Sequence, residues 1–109
     1  MYRVKRGFRP SFSGAFGNGS DVRSEFETTE LQDSEILYAE YDVEFYNGSA
    51  VVLFLRDGKL YEVHGSHCSC YGLEGQWEPE ETTLEVLLRR PMGGRMSIPA
   101  AVLGQIVQE

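Results

Sequence analysis

Residues 36 to 46, ILYAEYDVEFY, alternate between apolar and acidic positions. Ala39, Tyr41, Val43 and Phe45 fall on one side of the alternation, and Glu40, Asp42 and Glu44 on the other. A period of two is that of an extended strand with one buried face. NGS at 47–49 predicts a hairpin turn, because Asn-Gly accepts the positive φ of a type I′ turn. AVVLFLR then runs apolar without alternation, as a central strand covered on both faces does. DGK at 57–59 turns the chain again and LYEVH returns. The pattern predicts three antiparallel strands in a meander.

The period changes downstream. EPEETTLEVLLRR places Thr82 and Glu85 at capping-box spacing, acids in the first turn and Arg89 and Arg90 in the last, all suited to the helix dipole. Leu84, Leu87 and Leu88 form the apolar stripe, Pro91 stops the helix and MGG makes a joint. Ser97 is the expected cap of a second helix, IPAAVLGQIVQE, with Pro99 in its first turn. Ile98, Val102 and Ile106 would face the sheet, with Gly104 in mid-helix. Upstream, GFRPSFSGAFGNGS is rich in Gly and Ser and predicts irregular backbone, with Phe8, Phe12 and Phe16 anchoring a loop one at a time. The expected fold is α+β in one domain, residues 1–109. It has a basic, Gly/Ser/Phe-rich arm over 1–20, an antiparallel meander of three to four strands over 36–70, and two short C-terminal helices over 79–108 packed on one face.

The chain has 109 residues, enough for one core without staples. No apolar run reaches the roughly 18–20 residues that span a bilayer. The N-terminus is basic without the apolar stretch of a secretory signal, so a cytoplasmic setting is expected. The formal charge of −7 is unevenly spread. Residues 1–20 hold Arg3, Lys5, Arg6 and Arg9 and no acid, whereas residues 21–46 hold nine acids against the single base Arg23. Such asymmetry suits either an interaction arm beside an acidic surface, or two segments that neutralise each other.

Candidate chemistry is confined to VHGSHCSCYGLEGQW, residues 63–77. His64, His67, Cys68 and Cys70 are all acceptable zinc ligands, but they lie within seven residues, and on a strand His67 points away from Cys68 and Cys70. LYEVHGSHCSCYGL resembles the first half of a SWIM zinc finger, where a hairpin strand leads into Cys-x-Cys. That family completes its site with a later Cys-x-His pair, and this chain has no Cys or His after Cys70. A nucleophile reading needs a base or helix N-terminus beside the thiol, and the sequence shows no acid placed to orient either imidazole. The expectation is a structured corner, with the cysteines as small buried fillers and Tyr71, Leu73 and Trp77 closing one end of the sheet against the first C-terminal helix. No enzyme activity and no cofactor are expected.

DGKLYEVHGSHCSCYGLEGQWEPEETTLEVLL, residues 57–88, resembles a segment of small uncharacterised proteins encoded by phages and prophages. The resemblance implies a viral origin, a cytoplasmic setting in the host and a host-directed accessory role. The residues themselves offer two surfaces. Glu40, Asp42 and Glu44 project in a row about 6–7 Å apart, a solvated face or a mimic of phosphate spacing that fits a basic, nucleic-acid-binding groove on a host protein. Arg6, Phe8 and Arg9 are a second candidate contact. Four positive charges are a weak footprint for nucleic acid itself. The expected function is a non-enzymatic protein-binding module that inhibits or modulates a host protein. The alternatives are a metal-dependent nucleic-acid-binding module using His64, His67, Cys68 and Cys70, and a virion or assembly component.

Overall fold

The computed structural model describes residues 1–45, 47–68, 72–90 and 98–109. Strands β1 (Tyr2–Val4) and β2 (Ser11–Gly14) precede helix α1 (Gly19–Phe26) and a 3-10 turn at Asp33–Glu35. Strands β3 (Ile36–Glu44), β4 (Asn47–Arg56), β5 (Lys59–His67) and β6 (Glu80–Thr82) follow. Helices α2 (Leu84–Arg89) and α3 (Ala100–Leu103) and strand β7 (Ile106–Gln108) complete the order. The fold is α+β and mostly sheet. Strands β3 to β6 are antiparallel neighbours, as a meander requires, but β2 adds a fifth strand parallel to β3, and β1 pairs with β7 in a separate two-stranded sheet.

The second hairpin turn lies where its sequence puts it. Arg56 pairs with Lys59, and Asp57 (φ 53°) and Gly58 (φ 75°) supply the two positive φ angles between them. The first turn is displaced. Glu44 pairs with Asn47, so Asn47, Gly48 and Ser49 belong to β4 rather than to the turn. The glycine is needed inside the strand instead. A Cβ on Gly48 would stand 2.8 Å from Cε1 of Tyr41 and closer still to the His67 ring, because both rings converge over it.

The sheet is buried on both faces. On one, Ala39, Tyr41, Ala50, Val52, Phe54 and Val63 meet Phe16, Leu31, Leu73 and the Val22 and Phe26 stripe of α1. On the other, Tyr38, Val51, Leu53 and Leu60 meet Leu87, Ile98, Val102, Leu103 and Ile106. Each fully buried large apolar side chain contributes about 1.5–3 kcal/mol, so β4 is held from both sides. The Ala39–Tyr41 half of the β3 alternation is buried as expected. The Val43–Phe45 half is not: these residues are 48% and 90% exposed, because the hairpin end runs past the packed elements.

The C-terminal elements differ from the expected pair of helices. Both are short, and α2 is capped by Thr83, whose Oγ accepts the Val86 N–H at 3.1 Å, while Thr82 lies in β6. Leu87 is buried, but Leu88 is 61% exposed and leaves the stripe. Ile98, Val102 and Ile106 are buried as expected, yet α3 ends at Leu103. Gly104 caps it rather than continuing it, and Ile106 pairs with Val4 in a strand. Pro91, the Met92–Gly94 joint and Ser97 lie outside the described residues.

The N-terminal arm is more regular than its composition suggests. Tyr2 N–H donates to Gly58 O and Lys5 N–H to Gln105 O, both at 2.8 Å, so the arm is tied to a hairpin turn and to the chain's end. Phe8 packs with the second core and Phe12 and Phe16 with the first, one ring at a time. Helix α1 was not expected. Asn18 caps it by accepting the Asp21 N–H at 2.9 Å. No described helix is long and apolar enough to cross a membrane.

Candidate functional site

The alternation of β3 carries Glu40, Asp42 and Glu44 on the face opposite Tyr41. Asp42 and Glu44 are exposed and Glu40 is half-buried, and none has an ion-pair partner among the described residues. The row lies across from Ser49 and Ser66, since Asp42 pairs with Ser49 and Ser49 with Ser66. These strands enclose an open cleft of about 280 Å³, lined by Asp42, Glu44 and Phe45 on one side and Ser66 and His67 on the other, with Asn47, Gly48 and Ser49 between them. Two carboxylates, hydroxyl groups and an exposed phenyl ring suit a partner that is both cationic and apolar.

The second candidate contact stands apart from the first. Ser11 pairs with Tyr38, so Arg9 lies toward the start of β3 while the acidic row runs to its end. Arg6 and Arg9 are exposed, and Phe8 and Arg9 line a different cleft, with Ala101, Val102 and Gln105. The basic arm does not neutralise the acidic segment through the ion pairs described. Arg23 takes Asp33 at 2.5 Å and Arg56 takes Glu35 at 2.5 and 2.9 Å, while Arg3 pairs with Glu109. The Arg56 guanidinium holds the Glu35 carboxyl below its ordinary range, burial opposing it.

The histidines do not converge. His64 and His67 are three residues apart on β5 and so point to opposite faces. His67 Nε2 and the Tyr41 hydroxyl are hydrogen-bonded at 2.5 Å, and Nδ1 donates to Cys68 O at 3.1 Å, so both ring nitrogens are engaged. Burial pushes the Tyr41 hydroxyl pKa up, with Glu25 and Glu74 adding to it, which keeps that hydroxyl protonated. Cys68 is exposed rather than a buried filler, because β5 ends at His67, and Cys70 lies outside the described residues. Among the described residues no three His, Cys, Asp or Glu side chains gather as metal ligands would.

The corner after β5 closes the sheet on the other side from the one expected. Trp77 stacks on Phe54 at 5.8 Å and meets Phe26 of α1 edge-on at 5.3 Å, so it packs against α1 and not α2. Gln76 fastens this turn, its carbonyl accepting the Ser66 N–H and its amide donating to Ser66 O, each at 2.9 Å. Tyr71 lies outside the described residues.

One cluster escapes the sequence altogether. Glu62 is 4% exposed, and Arg90 donates to both its carboxylate oxygens at 2.5 and 2.8 Å. His64 Nε2 contacts the same carboxylate. Burial pushes the Glu62 pKa up, but hydrogen bonds from His64, Arg90 and Thr82 outweigh it and bring it down to about 2. The group is an ionised carboxylate with its oxygens occupied, which suits tying α2 to β5 rather than proton transfer. Glu62 and His64 share one face of β5 at i, i+2, so Glu62 is the acid beside an imidazole that sequence reasoning missed. Arg90 comes from 28 positions away, and no local pattern announces it. No family model, no curated protein and no solved structure matches this chain.

Proposed function

We propose that this chain is a non-enzymatic protein-binding module that presents the acidic end of its sheet to a basic surface on another protein. The observation that carries the reading is the row Asp42–Glu44, without counter-ions among the described residues and continuous with a phenyl ring that is 90% exposed at the hairpin tip. An exposed phenylalanine adds nothing to folding, and an acidic row adds a small repulsion. Both are accounted for by a partner that covers the ring and neutralises the row. Paired charges of this kind steer association and lend it specificity. The resemblance of residues 57–88 to phage-encoded proteins supports a host protein as that partner, met in the host cytoplasm, and a groove that ordinarily holds nucleic acid has the required charge.

The test is capture of a partner from host lysate, followed by affinity measurement with Glu40, Asp42 and Glu44 changed to lysine together. Loss of binding in a variant that still folds, and weakening of wild-type binding as salt rises, is the expected result. Binding that survives both changes overturns the reading.

A further inference from the structure

Strand β2 leaves β3 before β3 ends. Its last paired residue is Gly14, opposite Tyr41, where a φ of 65° turns the chain away and a Cβ would collide with the Tyr41 carbonyl. The last bond across this edge is Ala15 N–H to Tyr41 O, at 2.8 Å. Residues two apart on a strand aim their backbone groups at the same edge, so Val43 directs its N–H and C=O outward as Tyr41 does. The ladder agrees: bonded and unbonded pairs alternate along antiparallel strands, so Val43–Gly48, two residues on from Tyr41–Ala50, is likewise a pair without mutual bonds. No strand among the described residues pairs with Val43 on its outer edge.

The side chains beside this open edge are sorted by face. Val43, 48% exposed, is on one face and Asp42 and Glu44 are on the other, with Phe45 beyond them at the tip. We infer that the edge at Val43 receives an extended segment of the partner, added as a further strand, in which basic residues alternate with apolar ones. The basic side chains lie on the Asp42–Glu44 face, and the apolar ones cover Val43 and Phe45. Backbone pairing at Val43 fixes which face is which. A second copy of this chain is disfavoured as the occupant, because edge-to-edge pairing would bring two acidic rows together. The inference rests on the proposed function and names the form of the partner that function requires.

The test uses the isotope-labelled full chain and two short synthetic peptides of identical composition. One alternates lysine and valine, and the other carries the lysines and valines in separate blocks. The alternating peptide is expected to bind several-fold more tightly and to slow exchange of the Val43 amide by about tenfold or more. Val43→Pro removes an N–H that points outward, and proline is tolerated at such edge positions, so the variant should keep its fold and lose about tenfold in affinity for the alternating peptide. If that variant does not fold, Val43 exchange in the wild-type chain decides alone. Equal binding of the two peptides with Val43 exchange unchanged overturns the inference while leaving a charge-only contact, and the proposed function, standing. Absence of binding by either peptide also overturns it. Peptide binding unaffected by changing Asp42 and Glu44 to lysine removes the acidic surface itself.

Discussion

The Tyr41 hydroxyl and His67 Nε2 meet at 2.5 Å directly over Gly48, across the strand that separates them. The bond joins β3 to β5 without passing through β4, and it leaves no room for a side chain beneath it. Gly48→Ala is therefore expected to cost about 1–3 kcal/mol, since one of the rings must move off a new methyl group. Gly104→Ala is the contrasting case. Its φ of −65° suits any residue and the nearest atom to an added Cβ is 3.4 Å away, so a gain of about 0.4–1 kcal/mol is expected. Urea denaturation of both variants checks the pair.

Glu62 makes stability fall in acid. Its carboxyl titrates near 4.5 when unperturbed and at about 2 in the folded chain, so the unfolded chain binds the proton first as pH drops. Its contribution, on the order of 3 kcal/mol, is complete above about pH 5 and is lost as pH falls toward 2. Glu62→Gln should lower stability at neutral pH, leaving Arg90 without its ion pair, and flatten the acid dependence. Glu35 acts in the same direction through Arg56, so the measurement is the difference between variant and parent across a pH series.

Phe26 joins α1 to the sheet through Trp77 and Phe16, with ring centroids 5.3 and 6.3 Å away. Phe26→Ala should cost about 3–5 kcal/mol, the usual effect of emptying a buried phenyl site. Trp77 is the only tryptophan, so its emission reports the change directly. A red shift in the folded variant is expected as water reaches the indole.

Phe45 holds a φ of 56° with its ring 90% exposed, a backbone position that suits glycine or asparagine better. Phe45→Asn should leave the melting temperature unchanged or raise stability by up to about 1 kcal/mol. The same substitution should weaken partner binding, because an apolar anchor is lost. A large loss of stability in thermal melts would show instead that the ring serves the fold.

The period-two run at 36–44 assigns each β3 side chain to its face, and Asp57–Gly58 locates a turn, because both signals are local and each has one cheap solution. The same alternation could not choose the register of the first hairpin. A turn centred on Asn47–Gly48 would set Tyr41 against Phe54, whereas Tyr41 pairs with Ala50. The two partners differ by an even number of residues, so every side chain keeps its face in either register and the pattern is blind to the choice. Packing makes it, by requiring a glycine where the Tyr41 and His67 rings cross. Helix α1 is hidden for a related reason. Val22 and Phe26 are its only buried large side chains, and the Gly and Ser residues before it read as loop until the sheet supplies a face to bury them. The acidic row was readable as a row, but its open edge was not, because that depends on where β2 turns away at Gly14. Arg90 and Glu62 likewise lie far apart in the chain, and the low-dielectric site that makes their ion pair strong exists only once β5, β6 and α2 have come together.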